Sequence, residues 1–255
     1  MEVEDGADRT RVRMSAYFER EEGRDAAVAA LDRLRRAGEA VGTAVATEVP
    51  DERWGERWRE FFQPVRATGR IVVGPPWAGM TAGPDGIVIV IEPKMAFGTG
   101  WHESTRLALQ ALERVVRPGD RVLDLGTGSG VLSIAAAKLG ARCLAVDIDP
   151  VALDNARENL ALNGVADRVE VVCGSLDAVR EAGFDGIVAN IQTNVLVPLL
   201  GDLRGRLRRG GRLLLSGILD REEAQIREAL RRTAWGEPGV IREGEWIGVV
   251  AERPA

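Results

Sequence analysis

Three short runs carry residues whose types and spacing could do chemistry. Val122-Leu123-Asp124-Leu125-Gly126-Thr127-Gly128-Ser129-Gly130 closes an apolar stretch and opens a helix-forming one. Glycines at such a junction let the backbone turn tightly and approach a ligand with no β-carbon in the way. Dinucleotide-binding loops use the same geometry, but their fingerprint needs Gly or Ala three places after the second glycine. Val131 stands there, so the pattern is GxGxG rather than GxGxxG. Asp147 ends the next apolar run, Leu144-Ala145-Val146-Asp147, at the rim where sheet ligands bind. A carboxylate in that place can accept both ribose hydroxyls of an adenosine, in two charge-assisted bonds of about 1.5–3 kcal/mol each. The plainer alternative, an acid serving a helix cap, suits Asp149 better, because Pro150 follows it. Asn190 ends a third run, Ile187-Val188-Ala189-Asn190. Its carbonyl oxygen can accept an amine hydrogen, or it can simply satisfy local backbone.

The glycine loop and the acid closing the next strand resemble class I methyltransferases that use S-adenosylmethionine (AdoMet). Ile91-Glu92-Pro93-Lys94-Met95-Ala96-Phe97-Gly98-Thr99-Gly100-Trp101-His102-Glu103-Ser104-Thr105 narrows the resemblance. Together with Val188-Ala189-Asn190-Ile191 and Trp58-Arg59-Glu60-Phe61-Phe62, it is similar to the ribosomal protein L11 methyltransferase (PrmA) family. The match runs from about Asp51 to the C-terminus, and the segment before Asp51 is less diagnostic. The resemblance implies a seven-strand, Rossmann-like α/β sheet with a small N-terminal α+β domain. It places Thr105, Gly126, Asp147 and Asn190 on AdoMet-contacting positions, with Gly128 in the same loop and Ile148 against the adenine. Phe97 to Gly100 would cover the methionine end of the cofactor. For His102 it leaves a loop contact or a substrate-orienting role ahead of general base.

Methyl transfer of this kind is an in-line displacement in which a sulfonium loses its charge, so positioning is the main lever and supplies about 7–11 kcal/mol. The acceptor must be a neutral amine, and a lysine with pKa about 10.4 costs about 4–5 kcal/mol to deprotonate near neutral pH. A nearby sulfonium and partial desolvation both reduce that cost, and the sequence offers no obvious dedicated base. Asn190 is the candidate that orients the amine. Enzymes that methylate base amino groups tend to follow this position with Pro-Pro-aromatic, a stacking partner for the base. Here Ile191-Gln192-Thr193 follows, which favours an aliphatic amine, either a lysine side chain or an N-terminal α-amine.

Regular alternation of strand and helix must position these residues. Helices are expected over 103–116, 129–139, 150–163, 195–207 and 221–233, and strands over 121–125, 142–147, 168–172, 184–189 and 212–216. Two closing runs, 239–242 and 246–251, form an antiparallel pair at one edge. The pattern implies a parallel sheet covered on both faces. Ahead of it, 70–73 and 86–91 read as a hairpin or two short strands. The N-terminal part reads as a strand over 11–18, a helix over 24–36 and a strand over 40–49. An aromatic-rich helix follows over 51–62, with Trp54, Trp58 and Phe61 at helical spacing. The expected organisation is a small α+β substrate-recognition domain over 1–50, a linker helix over 51–69 and an AdoMet-dependent methyltransferase domain over 70–255.

Composition sets the outer bounds. A net charge of −5 argues mildly against nucleic acid as the main partner and suits a basic protein or a neutral small molecule. The single histidine excludes an HExxH zinc site, and no metal site is expected. Two cysteines, Cys143 and Cys173, read as free thiols on strands and fit a reducing cytoplasm. No apolar run is long enough to span a bilayer, and residues 1–8 lack the apolar core of a secretory signal. The expectation is a cytoplasmic monomer that methylates a basic ribosomal protein of the large subunit, without contacting nucleic acid or membrane. Alternatives are a lysine methyltransferase of another protein, a nucleic-acid methyltransferase, a non-catalytic AdoMet-binding module and a dinucleotide oxidoreductase.

Overall fold

The structure is a computed structural model, and it describes residues 2–5, 12–16, 21–39, 42, 45, 62–93 and 102–254. The chain divides into two compact units, Met1–Trp58 and Arg59–Ala255.

In the first unit, β1 (Glu2–Asp5) pairs antiparallel with β2 (Val12–Ser15), and α1 covers Glu21–Arg36. The helix starts three residues before its expected Arg24. Glu21 and Glu22 lie in its first turn and Arg33, Arg35 and Arg36 in its last, each sign where the helix dipole favours it. Strand β1 was not anticipated. The expected strand over 40–49, apart from residues 42 and 45, and the aromatic helix over 51–62, apart from residue 62, lie outside the described residues.

In the second unit, β3 (Val65–Arg66), β4 (Ile71–Gly74) and β5 (Ile87–Val90) form a three-stranded sheet. The linker helix expected over 51–69 is therefore corrected at its end. Pro64 cannot continue a helix, and Val65 pairs with Val73. The hairpin reading of 70–91 is corrected too, in favour of two short strands. Strands β4 and β5 run parallel, Ile71 opposite Ile87 and Gly74 opposite Val90, because the connection over 75–86 is long enough to return the chain.

The main sheet follows with alternating helices: α2 (Glu103–Val115), β6 (Arg121–Leu125), α3 (Val131–Lys138), β7 (Arg142–Asp147), α4 (Pro150–Leu162) and β8 (Val169–Cys173). Then come β9 (Phe184–Asn190), α5 (Thr193–Arg206), β10 (Leu207–Leu219), α6 (Glu223–Arg232), β11 (Gly239–Glu243) and β12 (Trp246–Glu252). The strand order is β11-β12-β10-β9-β6-β7-β8. The neighbours from β10 to β8 are parallel, whereas β12 is antiparallel to both β10 and β11. The seven-strand α/β architecture and the antiparallel edge pair are as read from the sequence. Strand β10 is far longer than the expected 212–216, because Gly210 and Gly217, which look like breakers, sit within a strand whose pairing register shifts. Helix α3 starts two residues later than expected, and that length goes to the glycine loop.

Alternate residues of each strand feed two cores. Val122 and Ala145 face the helices α2 and α3, together with Ile89, Leu109 and Ile134. Leu123 and Ile187 face α5 and α6, together with Leu200, Ile226 and Trp235. Most of these side chains are fully buried, at about 1.5–3 kcal/mol each. Such a rigid double-faced sheet holds the carboxyl ends of β6, β7 and β9 at one rim.

Candidate active site

The loop after β6 is built from three glycines in the left-handed region, Gly126 at φ 76°, Gly128 at 54° and Gly130 at 84°. A β-carbon on Gly126 would lie 2.6 Å from Cγ2 of Ile191, so the loop and the β9–α5 turn require a bare backbone between them. Both Gly126 N and Thr127 N donate to Val146 O, at 2.8 and 3.0 Å, which ties the loop to β7. Underneath lies Asp124, fully buried. Its Oδ2 accepts from Thr127 Oγ1 and from Ser133 Oγ, both at 2.7 Å, joining the loop to α3. Its Oδ1 is buried with no partner. Burial pushes this carboxyl up to about 6, against the two hydroxyl bonds that favour the charged form. The sequence reading quoted Asp124 within its motif and gave it no role. An acid inside an otherwise apolar buried strand was the available signal.

Asp147 ends β7 beside this loop. Its Oδ2 accepts from Gly128 N at 2.8 Å and its Oδ1 from Asp149 N at 3.0 Å. A carboxylate has about four lone-pair sites, so two directions remain for a diol. Asp149 is the cap of α4, accepting from Val151 N at 2.9 Å, as its sequence position suggested. Ile148 is 75% exposed directly after Asp147, an apolar side chain open to solvent and a suitable rest for an adenine ring. These features fit a nucleoside: a rim carboxylate with acceptor capacity to spare, an adjacent open apolar group and a bare glycine turn.

Asn190 ends β9 on the other side of β6. Its Nδ2 donates to Oγ1 of the fully buried Thr105 at 3.3 Å, while its Oδ1 is buried and unpaired. Thr105 sits in the first turn of α2, whose backbone is held by a bond of 2.7 Å from Ser216 Oγ to Ser104 O. Gly217, at φ 77°, passes under this corner. A β-carbon there would be 2.8 Å from Ile191 O and 3.1 Å from Asn190 Oδ1. Sequence reading missed Gly217, although a glycine inside a strand is a signal of close backbone approach.

His102 is the N-cap of α2. Its side chain accepts from Ser104 N at 3.2 Å, and its ring lies edge-on to Trp246 at 4.6 Å. Both are contacts of a structural kind, and the second is made by a tryptophan that the sequence did not single out. Arg106, one turn on, donates to Glu243 at 2.7 Å. Residues Phe97 to Gly100 lie outside the described residues. Cys143 is buried and Cys173 exposed, both free. Among the described residues there is no cluster that could hold a metal, and no helix is long and apolar enough to cross a membrane.

Comparison with known proteins gives a consistent picture. A family model described as ribosomal protein L11 methyltransferase (PrmA) matches residues 1–254. A protein of that name from Symbiobacterium thermophilum is 44% identical over 77% of this chain and 64% of its own length. Another from Pelobacter propionicus is 41% identical over 95% of this chain and 82% of its own. The chain thus spans under two thirds of some curated relatives, at 64% and 63% of two of them. Among solved structures, a ribosomal protein L11 methylase from Lactobacillus delbrueckii subsp. bulgaricus superposes with TM-score 0.71 at 34% identity, over 76% of this chain and all of that one. A methyltransferase from Pyrococcus furiosus shares the fold at TM-score 0.55 and 20% identity, over 66% of this chain and 90% of that one.

Proposed function

The chain belongs to the ribosomal protein L11 methyltransferase (PrmA) family, and from that premise we propose that it transfers methyl groups from AdoMet to amino groups of a ribosomal large-subunit protein. The acceptors are lysine side chains, an N-terminal α-amine, or both. The observation that carries the reading is the unpaired Oδ1 of Asn190, at the same strand rim as Asp147.

Asp147 holds the ribose diol through its remaining lone pairs, Ile148 supports the adenine, and Gly126 and Gly128 give the loop its close approach. Thr105 and Asn190 bound the other end of the cofactor. When bound, AdoMet supplies an electrophilic methyl on a positively charged sulfur. Asn190 Oδ1 accepts an N–H of the incoming amine, which aims the nitrogen lone pair away from the amide. The bond from Asn190 Nδ2 to Thr105 fixes the amide with its oxygen left to accept. Such an acceptor takes an N–H from amine or ammonium alike, so it orients the nitrogen, while the sulfonium charge and desolvation favour the neutral form. The proton that distinguishes ammonium from amine leaves to solvent before transfer, since no side chain of the described rim is placed to take it. Ile191 and Gln192 follow Asn190 with no ring, so a flat base has nothing to stack on and an aliphatic chain is the better fit.

The N-terminal unit, residues 1–50 in the sequence reading, recognises the protein substrate, the segment from residue 51 connects it, and residues 70–255 perform the transfer. The enzyme works as a cytoplasmic monomer without direct contact to nucleic acid.

Incubation with AdoMet and separated ribosomal proteins, followed by mass spectrometry, tests this. One large-subunit protein should gain whole methyl increments. Label appearing in ribosomal RNA instead, or calorimetric binding of NADH in preference to AdoMet, would overturn it.

A further inference from the structure

Helix α4 and its C-cap carry Asn155, Asn159 and Asn163, spaced four apart. Four helical residues rise about 6 Å and two strand residues about 6.6–6.8 Å, so successive amides of such a run can meet alternate residues of one strand edge. Here they do. Asn163 Oδ1 accepts from Val90 N at 2.9 Å, and its Nδ2 donates to Val90 O at 2.6 Å. Asn159 Oδ1 accepts from Glu92 N at 2.9 Å. The helix thereby serves as a neighbour for the edge of β5.

Asn159 reaches further. Fully buried, it donates through Nδ2 to Ser129 O at 2.9 Å and to Asn155 Oδ1 at 2.6 Å. Ser129 lies between Gly128, whose N–H holds Asp147, and Gly130, which opens α3. Asn155 is only 3% exposed, yet its Nδ2 has no partner. A buried donor left unpaired is destabilising, so stability alone does not account for an asparagine there. Its oxygen does have a use, because it fixes which way the Asn159 amide faces.

We infer that Asn159 is a positioning residue for the nucleoside site. It locks the Ser129 carbonyl, and with it the Gly128 N–H that orients Asp147, to Glu92, two residues past the end of β5, and Asn155 sets its amide. The inference rests on the glycine loop and Asp147 binding AdoMet. Asn163 is the internal control, since its bonds go to Val90 and its own helix and none go to the loop.

Three variants, Asn159→Ala, Asn155→Ala and Asn163→Ala, are compared by AdoMet calorimetry, hydrogen exchange over residues 126–131 and thermal midpoint. Asn159→Ala should weaken AdoMet about tenfold and speed loop exchange, while kcat at saturating AdoMet stays near the parent value. Asn155→Ala should do the same about threefold, and carries the comparison if Asn159→Ala does not fold. Asn163→Ala should lower the thermal midpoint yet leave AdoMet affinity and loop exchange within twofold. Equal effects of the Asn159 and Asn163 variants on loop exchange and affinity would overturn the inference. Failure of the parent to bind AdoMet would overturn the cofactor reading alone, because loop exchange still decides the role of Asn159 without ligand.

Discussion

On the β6–β7 side of the sheet, Asp147 has both carboxylate oxygens engaged by backbone N–H groups, whereas on the β9–β10 side Asn190 keeps its carbonyl oxygen buried and unpaired. The first side is fixed before any ligand arrives. Its acid, its glycines and its helix cap restrain one another, and the remaining lone pairs point to where a diol can bind. The second side holds one end of an amide through Thr105 and leaves the other end unsatisfied, a condition that a hydrogen-bearing nitrogen would relieve. Pre-organised binding and a withheld hydrogen bond are different devices, and the molecule places them on opposite flanks of β6.

The comparison can be broken at four points. Asp147→Ala should have the largest effect, weakening AdoMet a hundredfold or more in calorimetry, since two charge-assisted bonds of about 1.5–3 kcal/mol each are lost. An unchanged affinity would remove the holding role from the β7 end. Gly217→Ala, with a β-carbon at a positive φ and 2.8 Å from Ile191 O, should lower stability by about 2 kcal/mol or more in urea denaturation and reduce kcat with it.

Third, Asp124→Asn sharpens the account of the holding side. The folded pKa of Asp124 is raised to about 6, so its contribution to stability is present in full below its unfolded pKa and is lost as pH rises through about 6. Relative to the parent, the variant should therefore gain about 2–3 kcal/mol between pH 4 and pH 7, read from paired denaturation curves. Groups common to both proteins, such as Glu222 and Glu223 with their lowered pKa values, cancel in that difference. Fourth, Asn190→Ala should cost about tenfold in kcat with AdoMet saturating, the worth of one well-placed hydrogen bond. Unchanged turnover would leave the unpaired oxygen without a chemical role.

The holding side was largely legible in the sequence because its signals are local. Glycines two apart, an acid at the end of an apolar run, and Asp149-Pro150 at a helix start each act within a few residues. The other side was legible only in outline. Asn190 could be placed at a strand end, but the burial of its oxygen depends on Thr105 from α2 and on Gly217 from β10, which no local pattern links. The parallel course of β4 and β5 depends on a connection whose path two apolar runs do not encode. The contacts of Asn159 with Glu92 and Ser129 join residues 67 and 30 positions away, which no local pattern links. Glycines flank the expected strand over 212–216 at 210 and 217, and there the strand continues through a shift in pairing register.

The insertion of β12 between β10 and β11 bears on the order of assembly. Contacts that shape the glycine loop close over short stretches: 3 residues from Thr127 to Asp124, 19 from Gly128 to Asp147 and 30 from Asn159 to Ser129. The start of α2 must wait for the last hairpin, since Arg106 meets Glu243 across 137 residues and His102 meets Trp246 from the same turn. Closing so long a span is slow relative to local pairing. A chain still leaving the ribosome will thus complete the glycine loop and its Asp147 contact well before the corner around Thr105 and Asn190.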